Sequence, residues 1–115
     1  MNDQKFVDAV FFELFDENFC RYQDSLTKPT TGEQDSYGRA RNALALLNSA
    51  QRLDVVEFLR VVIADTASVI LGALDGVHFP DGLEGECVVS LDGVEIQGDL
   101  QDMFLSKAQN LGIYD

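Results

Sequence analysis

The stretch whose reading decides the fold is LDVVEFLRVVIADTASVILGALD, Leu53 to Asp75, the longest apolar segment of the chain. Wound at about 100° per residue, Asp54, Glu57, Asp65, Ser68, Gly72 and Asp75 fall on one narrow stripe that only Val61 interrupts. Val55, Val56, Leu59, Val62, Ile63, Val69, Ile70, Leu71 and Leu74 take the remaining circumference. A helix apolar over most of its girth is a buried one, so the stretch predicts a long central core helix of about 33 Å. Asp54 followed by Glu57 has the spacing of a capping box, with Leu53 and Phe58 placed as a hydrophobic staple, and puts the helix start there. Asp65 shares the angle of Asp54 and reads as part of a solvated stripe rather than as a catalytic carboxylate. Ala64, Ser68 and Gly72 recur every four residues, a spacing that lets another backbone approach, most simply in internal helix packing. Four charges (Asp54, Glu57, Arg60 and Asp65) speak against a membrane span, which takes about 20 mostly apolar residues.

Upstream, residues 3–24 read as an amphipathic helix. Val7, Phe11, Leu14, Phe15, Phe19 and Tyr22 gather on one arc with Phe12 at its edge, and Glu13, Asp16 and Glu17 lie opposite. So many aromatics suit a core, with a homodimer contact through this first helix as the alternative. Residues 25–35, SLTKPTTGEQD, form a loop, since Pro29 and Gly32 break any periodicity. Residues 36–50 predict a second helix capped by Ser36 or Asp35, and Asn48 to Leu53 a short turn. Arg39, Arg41, Arg52 and Arg60 make this the one basic region, suited to an anionic ligand or, more simply, to offsetting acids elsewhere.

Downstream, GVHFPDGLEGE is a glycine-rich acidic loop without the DxDxDG spacing of a calcium site. His78 is the only histidine. Residues 87–97, CVVSLDGVEIQ, predict a hairpin turning at Asp92-Gly93 in a type I′ turn, which pairs Ser90 with Glu95 and Leu91 with Val94. Cys87, Val89, Leu91, Val94 and Ile96 then share the apolar face. A last short helix is expected after Gly98, capped by Asp99, with Asp102 complementing its dipole and Gly112 as its C-terminal cap. The fold class is therefore α+β: three N-terminal helices with a long buried central helix, then a β-hairpin and a short C-terminal helix, in one acidic domain over residues 1–115.

The charge is the unusual property. Twenty acidic residues face eight basic ones, for a net charge of −12. Residues 61–115 hold half of the acids and Lys107 as their one base. Direct nucleic-acid binding and anionic membranes are disfavoured, because both draw on Lys and Arg. Cys20 and Cys87 are far apart, without a CxxC, and read as reduced thiols of a cytoplasmic chain; no secretion signal stands at the start. No cofactor, metal or catalytic motif is evident.

The leading expectation is a non-enzymatic binding or inhibitory module for a basic protein partner. Asp81, Glu84, Glu86, Glu95, Asp99 and Asp102 are the candidate contact residues, expected to form one contiguous negative surface. The small acidic profile resembles that of bacterial immunity and antitoxin proteins, in composition alone, so no residue role is carried over. Two alternatives stand beside it: a small hydrolase or metal-dependent enzyme using His78 and the acidic-loop carboxylates, and a structural homo-oligomer.

Overall fold

The computed structural model describes residues 1–30 and 32–115; Thr31, within the expected loop, lies outside them. The first helix is one continuous rod in three parts. Helix α1 (Asn2–Phe12) passes through a π-helical segment (Glu13–Asn18) into α2 (Phe19–Leu26). In an ordinary α-helix a step of four residues overshoots a full turn by about 40°, so a stripe at 7, 11, 15 and 19 would wind away from the core. The wider π turn, closed by i→i+5 bonds, removes part of that drift. Val7, Phe11, Phe15 and Phe19 all remain buried.

Helix α3 (Ser36–Ala45) starts at Asp35, whose carboxylate accepts the Gly38 N–H at 2.8 Å. The chain turns at Leu46–Asn48 and enters α4 (Ser49–Asp75), 27 residues and about 40 Å long. This start corrects the expected one. The capping box is made by Asn48 and Gln51: the Gln51 N–H donates to Asn48 Oδ1 at 2.9 Å, and the Asn48 N–H donates to Gln51 Oε1 at 3.1 Å. Ser49 to Leu53 are competent helix residues, so the earlier box starts the helix. Asp54 is left exposed within it, and Glu57 pairs with Arg60 instead.

Beyond α4, Gly76 closes the helix at a φ of 76°. The hairpin forms with the expected register, Ser90 opposite Glu95 and Leu91 opposite Val94, in strands β1 (Ser90–Leu91) and β2 (Val94–Glu95). Asp92 and Gly93 have φ of 52° and 75°, the two positive values a type I′ turn requires. Its regular pairing is shorter than the apolar alternation suggested, although the Ile96 N–H still donates to the Val89 carbonyl at 2.8 Å. Ile96 is buried, Cys87, Val89 and Leu91 are half-buried, and Val94 faces solvent.

Helix α5 (Leu100–Asn110) holds the molecule together, because it packs on both α1 and α4. Phe104 meets Phe11 and Phe15 with ring centroids 5.3 and 6.0 Å apart, and those two rings stand 4.5 Å from each other. Leu100, Phe104 and Ala108 join Val7, Ala64, Leu71, Ile96 and Ile113 in the main core. A smaller cluster of Phe19, Leu44 and Val56 ties α2, α3 and α4 together, with the Arg60 guanidinium 4.0 Å from the Phe19 ring centre. At the end of α5 the Ile113 N–H donates to the Ala108 carbonyl at 3.1 Å and Gly112 takes a φ of 71°, the expected Schellman closure.

The seam between α4 and α5 reverses part of the expected amphipathicity. α5 lies on the Ala64, Ser68 and Gly72 side, where small residues let it come close. The Gln101 amide donates to the Ser68 carbonyl at 3.0 Å and hydroxyl at 3.2 Å, and Gly72 is buried beneath it. Much of the stripe expected in water is thus covered. The bulky apolar side of the same helix is left open: of its 27 residues, only Val56, Ala64, Leu71 and Gly72 are buried. The central helix is long and central as expected, but its burial is one-sided.

Candidate functional site

Two features stand out, and they differ in chemistry. The first is an open groove between the α1–α2 rod and α4. Phe6, Val10 and Leu14 line one wall, and Ile63, Ala67 and Ile70 the other; Tyr37 of α3 reaches its end. The groove encloses about 710 Å³, and none of the side chains lining it is charged. It continues onto the outer flank of α4, where Val55, Phe58, Val62 and Val69 are exposed, Phe58 at 60% and Val69 at 49%. Val62 belongs to both. Val55, Val62 and Val69 stand seven residues apart, the spacing that keeps side chains on one helical face.

The groove has a simple origin in the packing. α1 and α4 form a splayed layer, and α5 with the hairpin covers one side of it through Phe11, Phe15, Ala64 and Leu71. The other side is left bare except where α3 closes its end. A helix apolar almost all round needs cover on both sides, and here one side of it stays open.

The second feature is the set of candidate acidic residues, which lie on three elements. Asp81, Glu84 and Glu86 lie in the loop after α4, Glu95 in β2, and Asp99 and Asp102 before and in the first turn of α5. All six are exposed. Glu86 and Gln97 border one depression of about 380 Å³, and the Gln97 amide donates to Glu95 Oε2 at 3.3 Å. The Gln97 side-chain carbonyl oxygen accepts the Val89 N–H at 2.9 Å, so that Gln97 ties the two arms of the hairpin together.

Asp99 does not cap α5: its side chain accepts no capping bond. That task falls to Asp75, whose Oδ1 accepts from the N–H groups of Gly98 at 2.7 Å and Leu100 at 3.2 Å, and whose Oδ2 accepts from Gln101 at 2.7 Å. A local cap at Asp99 is the reading spacing favours, but the end of α4 delivers a second carboxylate to the same N–H groups.

His78 borders the 380 Å³ depression with Asp75, Glu86 and Cys87. It is exposed and forms no ion pair with a carboxylate among the described residues, and Asp75 is already engaged with α5. Among the described residues no group of three His, Cys, Asp or Glu side chains is placed to share a metal ion. No helix among them is long and apolar enough to cross a membrane.

Three of the four arginines of the basic region are engaged internally. Arg41 is buried, paired with Glu33 at 3.0 Å and bonded to the Ser25 carbonyl and hydroxyl. Arg60 pairs with Glu57 at 2.9 Å, and Arg39 donates to the Gln34 carbonyl. Lys107 pairs with Asp8 at 3.1 Å. Hydrogen bonds from Gln4 and Lys107 hold the Asp8 carboxyl below its usual range. Asp65 is exposed and accepts from the Tyr114 hydroxyl at 3.2 Å. Burial, and then that bond, raise the Tyr114 phenol above 10.0.

No protein-family model matches the chain, and neither the curated proteins nor the solved structures contain a significant match.

Proposed function

We propose that the chain is a non-enzymatic binding or inhibitory module for a basic protein partner, met through Asp81, Glu84, Glu86, Glu95, Asp99 and Asp102. The observation that carries this reading is uncompensated charge. All six carboxylates are exposed and none takes part in an ion pair among the described residues. The one base beyond residue 60, Lys107, is engaged by Asp8. A field left open in this way attracts a cationic surface, raises its association rate, and is weakened by salt.

The test is a paired capture from the host's own lysate at low ionic strength, with the natural chain and the Glu84→Lys/Glu86→Lys variant as baits. A basic protein held by the first, lost from the second, and released by added salt supports the reading. Screening acts over about 10 Å at 0.1 M, so moderate salt suffices. A partner indifferent to both the reversal and the salt, or no basic partner at all, overturns it.

A further inference from the structure

We infer that a second copy of this chain covers the open groove and the adjoining flank of α4, giving a symmetric dimer. The surface area sets the need. The chain exposes 7673 Å², against about 6,200 Å² for a self-contained protein of this mass. Its radius of gyration is 17.2 Å, against about 13 Å for a compact domain of similar length. The excess, about 1,400 Å², is above the roughly 800 Å² that each partner gives to a standard interface. Part of that excess belongs to the exposed connection between α4 and the hairpin.

The chemistry and shape of the face select the occupant. A basic partner helix would be recognised by carboxylates, and none lines the groove. The chain itself carries −12, so two copies repel unless they meet where charge is sparse, and the groove, lined by no charged side chain, meets that condition. The candidate acidic residues ride on the loop, the hairpin and α5, and none of them lines the groove. The face also holds a ridge (Val55, Phe58, Val62 and Val69) beside a groove (Val10, Leu14, Ile63 and Ile70). A two-fold rotation sets the ridge of each copy into the groove of the other, the self-complementarity that an isologous contact requires. The dimer surface is therefore the flank of α4 with the groove. Of the aromatic arc of the first helix, Phe11, Phe15 and Phe19 are buried in the chain's own core, while Leu14 and Tyr22 line the groove.

This inference does not rest on the acidic surface, and its test leaves that surface untouched. Sedimentation equilibrium from micromolar to about 100 µM, a range that captures weak to moderate affinity, reads the mass directly. The expected value is twice the 12.7 kDa of one chain. Val62→Glu with Ile70→Glu places two charges on each buried face and gives a monomer with unchanged helical circular dichroism. Should that variant unfold, Val62→Ala serves instead: it trims a side chain exposed in the single chain and raises the dimer dissociation constant ten-fold or more. Glu84→Lys/Glu86→Lys remains a dimer. A natural chain that is monomeric throughout overturns the inference. So does a dimer whose affinity ignores the Val62 substitutions, because its interface then lies elsewhere.

Discussion

Asp75, the last residue of α4, accepts the Gln101 N–H of α5 at 2.7 Å across 26 residues of sequence. Its two oxygens together take three N–H groups at the start of α5. One carboxylate thus ends one helix and begins another, and it fixes where α5 lands on α4.

Asp75→Ala should therefore cost about 2 kcal/mol, in line with lost caps and charge-assisted bonds. Asp99→Ala, at the position that spacing alone marks as the cap, should cost less than about 0.5 kcal/mol. Urea unfolding of the two variants measures the difference, and equal losses would contradict the assignment.

At the other end of α4, Asn48→Ala should cost about 1 kcal/mol. Asp54→Ala should be within about 0.5 kcal/mol of the natural chain, because Asp54 is an exposed residue inside the helix. The midpoint shift in urea again decides. A larger effect at Asp54 would mean that the helix starts later.

Both reversals show what the residues alone reveal. Two capping boxes, Asn48/Gln51 and Asp54/Glu57, lie within ten residues, and periodicity does not rank them. The choice falls to whether the intervening residues can themselves be helical. The side of α4 that receives α5 is a tertiary matter. Small residues at 64, 68 and 72 permit a close neighbour, while bulk at 55, 58 and 62 invites one, and only the landing point of α5 settles which wins. The hairpin register and the cap at Asp35 were legible because their determinants are local. The six candidate carboxylates were legible as surface residues for the same reason, being charged. The groove was not, since it arises from the cover the chain does not provide.

Gly93→Val should destabilise by about 1–2 kcal/mol. The backbone there needs a φ of 75°, which a β-branched residue resists, while open space surrounds the missing side chain. The loss is thus one of conformation alone, and Gly93→Asn should recover most of it in thermal unfolding.

Gly72→Val tests the α4–α5 seam. A Cβ at Gly72 would stand 2.6 Å from the Gln101 amide nitrogen and 3.1 Å from the His78 Cβ. Overpacking of this kind costs about 1–3 kcal/mol. Amide exchange should rise first in α5, and unchanged protection there would show that the seam adapts.

The Tyr114–Asp65 bond gives a pH dependence. The folded phenol has a raised pKa, so its contribution to stability is complete below the unfolded value near 10 and is lost as pH rises through the folded value. Absorbance at 295 nm should show a tyrosine titrating above the ordinary range, and Tyr114→Phe should remove that limb.

The place of α5 has a bearing on how the chain comes to be folded at all. The ring of Phe11 has no partner across the core until Phe104 has been made, and the two ends of this contact are separated by nearly the whole chain. During synthesis from the N-terminus, the smaller cluster of Phe19, Leu44 and Val56 can form first, while Val7, Phe11, Phe15, Ala64 and Leu71 wait for the residues of α5. Closing so long a span has an entropic cost that rises with its length. The nascent chain therefore passes through a sticky interval that ends only when Leu100–Asn110 appears. A chain lacking Leu100–Asn110 would leave the main core open and be a substrate for chaperones.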